Sequence, residues 1–103
     1  MYNISIEFEF DPFKSQLNEQ KHGISFEEAK LFWTEFGVRL SARSGGEERE
    51  MRIVKFYNKY FTCVFTMRGN RIRIISVRRS REKEKQFYQE TLEYEQETQK
   101  DFS

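Results

Sequence analysis

Apolar and polar residues alternate without a break over residues 4–10, with Ile4, Ile6, Phe8 and Phe10 on one side and Ser5, Glu7 and Glu9 on the other. A period of two is that of a strand buried on one face. The period changes at Asp11-Pro12. The aspartate carboxylate can accept the free amide protons of a helix start, and proline lacks a donor that the first turn cannot use. The spacing predicts a helix to about His22, stopped by Gly23 in the left-handed conformation. Ser25 with Glu28 is the pattern of a capping box. It opens a second helix with Ala29, Phe32, Trp33 and Phe36 on one side, and Gly37 is placed to stop it.

Residues 39–48 include Ser41, Ser44, Gly45 and Gly46 and read mainly as loop, with room for a short strand over 38–42. Two strands, 51–57 and 60–67, are expected to be joined through Asn58-Lys59. Arg68-Gly69-Asn70 then turns the chain into a strand over 71–78. Ser80 is placed to cap a last helix whose apolar stripe is Phe87, Tyr88, Thr91 and Leu92. Beyond Tyr94 little is left to bury, so a single domain over residues 1–94 with a frayed acidic tail over 95–103 is expected. The order β-α-α-β-β-β-α predicts an α+β domain, an antiparallel sheet with helices packed on one face.

A chain of 103 residues has material for one core, and its eleven Phe carry much of the packing. Cys63 is the only cysteine and His22 the only histidine, so neither an internal disulfide nor a cysteine-based zinc site can form. No metal or cofactor is expected. With no long apolar run there is no expected membrane span or secretory segment, and a reducing cytoplasm is the natural setting. The net charge of +1 conceals a strong segregation: −4 over residues 1–38, +3 over 39–67, +6 over 68–85 and −4 over 86–103. Such asymmetry suits one face to a polyanion, although a solvated helix and hairpin would give the same composition.

Three stretches together resemble the BrnT toxin family. The first is Phe10-Asp11-Pro12 with Lys14, Asn18, Lys21-His22-Gly23 and Ile24 to Ala29. The second is Glu47-Glu48-Arg49, and the third is Arg71-Ile72-Arg73-Ile74-Ile75-Ser76-Val77-Arg78-Arg79 with Glu82, Glu84 and Tyr88. The chain departs from the family's pattern at Val77, at Arg79-Ser80, at Lys55-Phe56 and in its longer acidic tail. The resemblance implies a fold similar to the RelE-type ribonucleases and a metal-independent endoribonuclease activity that inhibits translation. It also implies a ribbon-helix-helix antitoxin as partner, with promoter DNA bound only through that antitoxin.

RNA cleavage without a metal needs a base for the 2′-hydroxyl proton, cations for the phosphate and an acid for the leaving 5′-oxygen. Histidine titrates near neutrality, which makes His22 the obvious acid or base. Lys21 beside it, Arg49 at the start of the middle hairpin, Arg73 and Arg78 complete the candidate catalytic set. Arg68, Arg71, Arg79 and Arg81 are candidate RNA-binding residues. A period of two over 71–78 puts Arg73 and Arg78 on opposite sides unless the strand bulges or ends first. The plainer expectation is that these arginines pair with Glu7, Glu9 or the antitoxin. Glu48 is a further base candidate, more readily a solvated turn residue. Tyr57, Tyr60 and Tyr88 could stack on bases but fit core or hairpin roles better. Two other readings stand beside the nuclease: a non-catalytic module that binds RNA or a partner through the same basic face, and a degenerate toxin retaining antitoxin binding and promoter regulation.

Overall fold

The computed structural model describes the backbone of residues 6–44 and 47–101. Ile4 and Ser5 of the first expected strand, Gly45 and Gly46 of the expected loop, and the last two residues of the tail lie outside that range. The elements in order are β1 (Glu7–Glu9), α1 (Pro12–His22), α2 (Phe26–Ala29) running into a 3-10 helix (Lys30–Thr34), β2 (Gly37–Ser44), β3 (Glu47–Phe56), β4 (Lys59–Arg68), β5 (Arg71–Arg79) and α3 (Glu82–Asp101). The five strands form one sheet in the order β1-β5-β4-β3-β2. The helix signals at Asp11, Gly23 and Ser25 are in place. Asp11 accepts from the Phe13 amide with Pro12 at the first position, Gly23 closes α1 at φ 76°, and the Ser25–Glu28 capping box is complete.

Three expectations about the sheet are corrected. It is mixed rather than antiparallel, because β1 pairs in parallel with the edge of β5 that the β2–β5 meander leaves free. It is covered on both faces rather than one: Ile53 and Val54 are consecutive in β3, point to opposite sides and are both fully buried. The region read mainly as loop forms an eight-residue strand, β2, paired with β3 from Gly37↔Val54 to Ser44↔Glu47. Its Val38 and Leu40 supply the apolar side that a loop reading overlooks.

The larger core lies under α2 and the 3-10 helix, where Phe26, Ala29, Phe32, Val54, Phe61, Cys63, Phe65, Ile72, Ile74 and Val77 meet, with Phe8, Phe10 and Trp33 packed around them. Burying a side chain such as Phe26 or Phe32 is worth roughly 1.5–3 kcal/mol, so this layer dominates the fold. Desolvation there pushes the Cys63 thiol above its ordinary pKa, which leaves it an unreactive packing residue. The second core joins Val38, Ile53 and Tyr88 under α3, with Leu40, Tyr60 and Leu92 beside them. Tyr60 and Tyr88 therefore take the core role, edge-on to each other at 5.4 Å.

Local corrections follow from this packing. The second helix ends at Thr34, and Glu35 is extended, so Phe36 leaves the helical stripe and packs against Tyr88. Gly37 does not stop the helix; it opens β2, where a Cβ would come within 2.5 Å of the Arg52 guanidinium. That guanidinium donates to the Phe32 and Glu35 carbonyls and so closes the 3-10 helix in place of a glycine. The Ser80 hydroxyl bonds Thr62 rather than capping α3; Arg81 precedes the helix, and Glu84 reaches back to the Arg81 amide.

The β3–β4 connection is Tyr57-Asn58, one residue earlier than expected, with φ of 50° and 64°. Two positive φ values are those of the type I′ turn that matches strand twist. Tyrosine in this conformation is strained by about 1–2 kcal/mol, and the side chain is 83% exposed, so packing returns little. Tyr57→Asn should stabilise the domain by about 1 kcal/mol, seen as a rise in melting temperature of roughly 4–8 °C. A lower melting temperature would show that the Tyr57–Phe56 ring contact outweighs the strain.

Candidate functional site

The site begins with a helix whose buried side is polar. α1 turns Ser15 and Asn18 inward and leaves Phe13 and Leu17 exposed. The Ser15 hydroxyl accepts from the Phe26 amide at 2.9 Å. Asn18 donates to the Ile24 carbonyl at 2.8 Å and accepts from the Val77 amide at 3.2 Å. β1 pairs only with residues 71–73 of β5, so α1 takes over the outer edge of β5 beyond that point. Leaving either partner of Asn18 unpaired would cost about 1–3 kcal/mol. These bonds fix the direction in which α1 delivers its last turn.

That turn carries Lys21 and His22, and Gly23 ends it by donating to the Glu19 carbonyl at 2.9 Å. Between α1 and β5 lies an open cleft of about 510 Å³, lined by both residues together with Lys14, Leu17, Asn18, Gln20, Phe26, Ile75 and Ser76. His22 is half-buried and Lys21 exposed.

β5 supplies the arginines, and its register decides where they point. Val64 pairs with Ser76 and Phe65 with Ile74, leaving Ile75 unmatched. This bulge reverses the alternation: Ile72, Ile74 and Val77 all enter the larger core, and Arg71, Arg73, Ser76 and Arg78 all turn to the α3 side. The bulge that the sequence reading required for Arg73 and Arg78 to share a side is present. Alternation also puts Arg49, in step with Ile53 of β3, and Arg68, across from Arg71, on that side. Arg79 points the other way, its guanidinium 5.7 Å from the centre of the Phe61 ring, and Arg81 is exposed ahead of α3. Lys21 and His22 thus share one cleft, five of the arginines share one face of the sheet, and Ser76 belongs to both.

The arginines differ in how firmly they are held. Arg71 pairs with Glu7 at 3.1 Å and with Glu9 at 4.0 Å, and Arg73 reaches Glu9 only at 3.9 Å. These are the carboxylates expected from the sequence, and exposed pairs of this kind are worth about 0–1 kcal/mol, so a phosphate could displace them. Arg49 is half-buried, and its Nε has no hydrogen-bond partner among the described residues. Arg78 is locked. Its two terminal nitrogens each meet a Glu84 oxygen at 2.8 Å, and Glu84 also accepts from the Thr62 hydroxyl at 3.0 Å and the Arg81 amide at 2.8 Å. A bidentate fork is strong but leaves little of the guanidinium for a ligand. Glu48 is exposed. Among the described residues no group of three or more His, Cys, Asp or Glu is placed to hold a metal.

Reading the sequence missed Asn18, Ser15, Thr62 and Glu84 as positioning groups. A signal was there: Ser15, Asn18 and His22 follow helical spacing, in a helix lacking any apolar residue at those steps.

Burial alone would push the Glu84 carboxyl up, but hydrogen bonds from Arg78, the Arg81 amide and Thr62 outweigh it and hold its pKa at about 2, against 4.5 for a free glutamate. Its native pKa being the lower one, the stability it contributes is complete above pH 4.5 and is lost as pH falls toward 2. The amount is roughly 3 kcal/mol. Urea unfolding across that window should show a steep loss for the wild type and a shallower one for Glu84→Gln. Equal slopes would mean that other carboxylates govern the acid limb.

A family model described as the ribonuclease toxin, BrnT, of type II toxin–antitoxin systems matches residues 10–84, well over half of the chain. No curated protein matches the chain in sequence. The chain belongs to the BrnT family of ribonuclease toxins.

Proposed function

We propose that this BrnT-family chain is a metal-independent endoribonuclease of RelE-like design that acts in the cytoplasm, inhibits translation and is neutralised by a ribbon-helix-helix antitoxin. In this reading promoter DNA is contacted only through the antitoxin, and residues 1–94 are the toxin domain with 95–103 as its acidic tail. The observation that carries it is the shared position of Ser76, which joins the Lys21–His22 cleft to the arginine face. A scissile phosphate bridging the two would have titratable and cationic groups on separate elements around it, as in-line transfer demands.

The roles follow from the chemistry. His22 takes the proton from the 2′-hydroxyl, whose oxygen bonds to phosphorus as the bond to the 5′-oxygen breaks. Lys21 returns a proton to that 5′-oxygen, leaving a cyclic phosphate and a free hydroxyl. Arg73 and Arg49, neither locked by a bidentate fork as Arg78 is, stabilise the charge that builds on the phosphate. Arg78, held by Glu84, orders the face from the side of α3. Arg68 and Arg71 on the same face, with Arg81 ahead of α3, extend the contact to flanking phosphates, while Arg79, turned to the Phe61 ring on the opposite face, is left out of this set. A binding module without catalysis is the second reading, and the stripe-like spread of arginines along β5 favours it.

Induced expression should arrest growth and produce new RNA ends mapped by primer extension. His22→Ala and Arg73→Ala should each lower cleavage by purified protein about 10²–10³-fold, whereas Arg81→Ala should cost less than about tenfold. Cleavage should survive a chelator. Arrest without new ends would favour the binding module, and harmless expression of folded protein would leave antitoxin binding as the surviving role.

A further inference from the structure

The opposite face of the sheet carries a groove that the nuclease reading does not use. Beyond the end of the 3-10 helix, Ile6, Trp33, Phe65, Met67 and Ile72 surround an open volume of about 600 Å³, with Arg52 at its side. Met67 is 49% exposed and Ile6 46%, although both continue the apolar side that is buried elsewhere under α2 and the 3-10 helix. Trp33 forms the wall, edge-on to Phe8 and to Phe65 at 5.2 Å each. A contiguous apolar surface bordered by polar groups is the usual mark of a protein contact.

Arg52 says what kind of contact. Among the described residues its Nε and Nη2 bond only the Phe32 and Glu35 carbonyls, and its guanidinium lies 5.6 Å from the centre of the Trp33 ring. Its neighbour Arg39 is neutralised by Glu50 at 2.8 Å. No carboxylate among the described residues pairs with Arg52, which is half-buried, and desolvation pulls its pKa down. A desolvated cation without a counter-ion beside an apolar floor is an unfinished ion pair. RNA, being polyanionic throughout, would leave the apolar floor unsatisfied.

We propose that this groove is the docking site of the antitoxin, filled by a segment that sets apolar side chains against Met67, Ile6 and Trp33 and brings a carboxylate to Arg52. This rests on the toxin–antitoxin reading of the family. It places the contact on the face opposite Arg49 and Arg73, so the antitoxin is held without its anchor entering the RNA site.

The test uses the full chain and the purified antitoxin encoded beside it. Met67→Asp and Ile6→Asp alter exposed side chains, and a thermal melt checks that each variant folds. Each should weaken antitoxin binding at least tenfold, by titration calorimetry, while cleavage of a single-stranded RNA oligonucleotide stays within twofold of wild type. In a double-mutant cycle, Arg52→Met should couple to one antitoxin carboxylate, changed to its amide, by fivefold or more. A folded Met67→Asp variant with unchanged antitoxin affinity overturns the proposal, as does the absence of any coupled carboxylate. Loss of RNA binding with antitoxin affinity intact would overturn it by assigning the groove to RNA. A wild-type chain that cleaves no RNA, yet loses the antitoxin on Met67→Asp, would refute the nuclease and leave the docking site standing.

Discussion

Ile75 has no partner across from it in β4, and the Val77 amide two residues on is taken up by Asn18 of α1 rather than by a neighbouring strand. Much of the molecule's arrangement depends on this one irregularity. Without it the alternation of β5 would put Arg73 and Arg78 on opposite sides of the sheet, and one of them would enter the larger core. With it the apolar side remains continuous through Val77 and the basic side through Arg78. Asn18 meanwhile ties the helix that ends in Lys21-His22 to the same short stretch of strand. A backbone group that the sheet leaves unpaired thereby becomes the anchor of the neighbouring cleft.

The structure divides its charge between holding and availability. Arg78 is held through Glu84, Thr62 and Ser80, a buried network joining β4, β5 and the start of α3. Arg52 is held on carbonyls at the end of the 3-10 helix. Arg71 and Arg73 rest against exposed or half-exposed carboxylates of β1, in arrangements that cost little to exchange. A polyanion arriving on the α3 side of the sheet would meet guanidiniums positioned by rigid strands and still able to change partners. The opposite side is apolar where it is covered and carries the groove of Ile6, Trp33 and Met67 where it is not, so the two faces suit different partners.

Much of this was legible in the sequence, for identifiable reasons. Helix starts and stops depend on side chains within a few residues, so Asp11, Gly23 and the Ser25–Glu28 pair could be read directly. The parallel placement of β1, the second covered face and the extension of β2 depend on pairing between distant segments, which local periodicity does not encode. Gly37 shows the limit well. A glycine after a helical stripe reads as a stop signal, but here it makes room for Arg52 from an adjacent strand. The residues named for the site were visible by type; which of them share a face depended on the bulge, and only the condition for it could be stated beforehand. Asn18 and Glu84 were hidden because their roles consist of bonds to residues 59 and 22 positions away, to Val77 and Thr62 respectively.

The central claim is that the cleft at the end of α1 and the arginine face of β5 form a single RNA site joined at Ser76. Backbone amide spectra of the wild-type chain titrated with a 2′-O-methyl RNA oligonucleotide, which cannot be cleaved, test it most directly. The account predicts that Lys21, His22, Arg73, Ser76 and Val77 shift together along one binding curve, while Ile6, Met67 and the β2 amides stay in place. Shifts confined to the arginines of β5, or centred on the groove beside Met67, would contradict it.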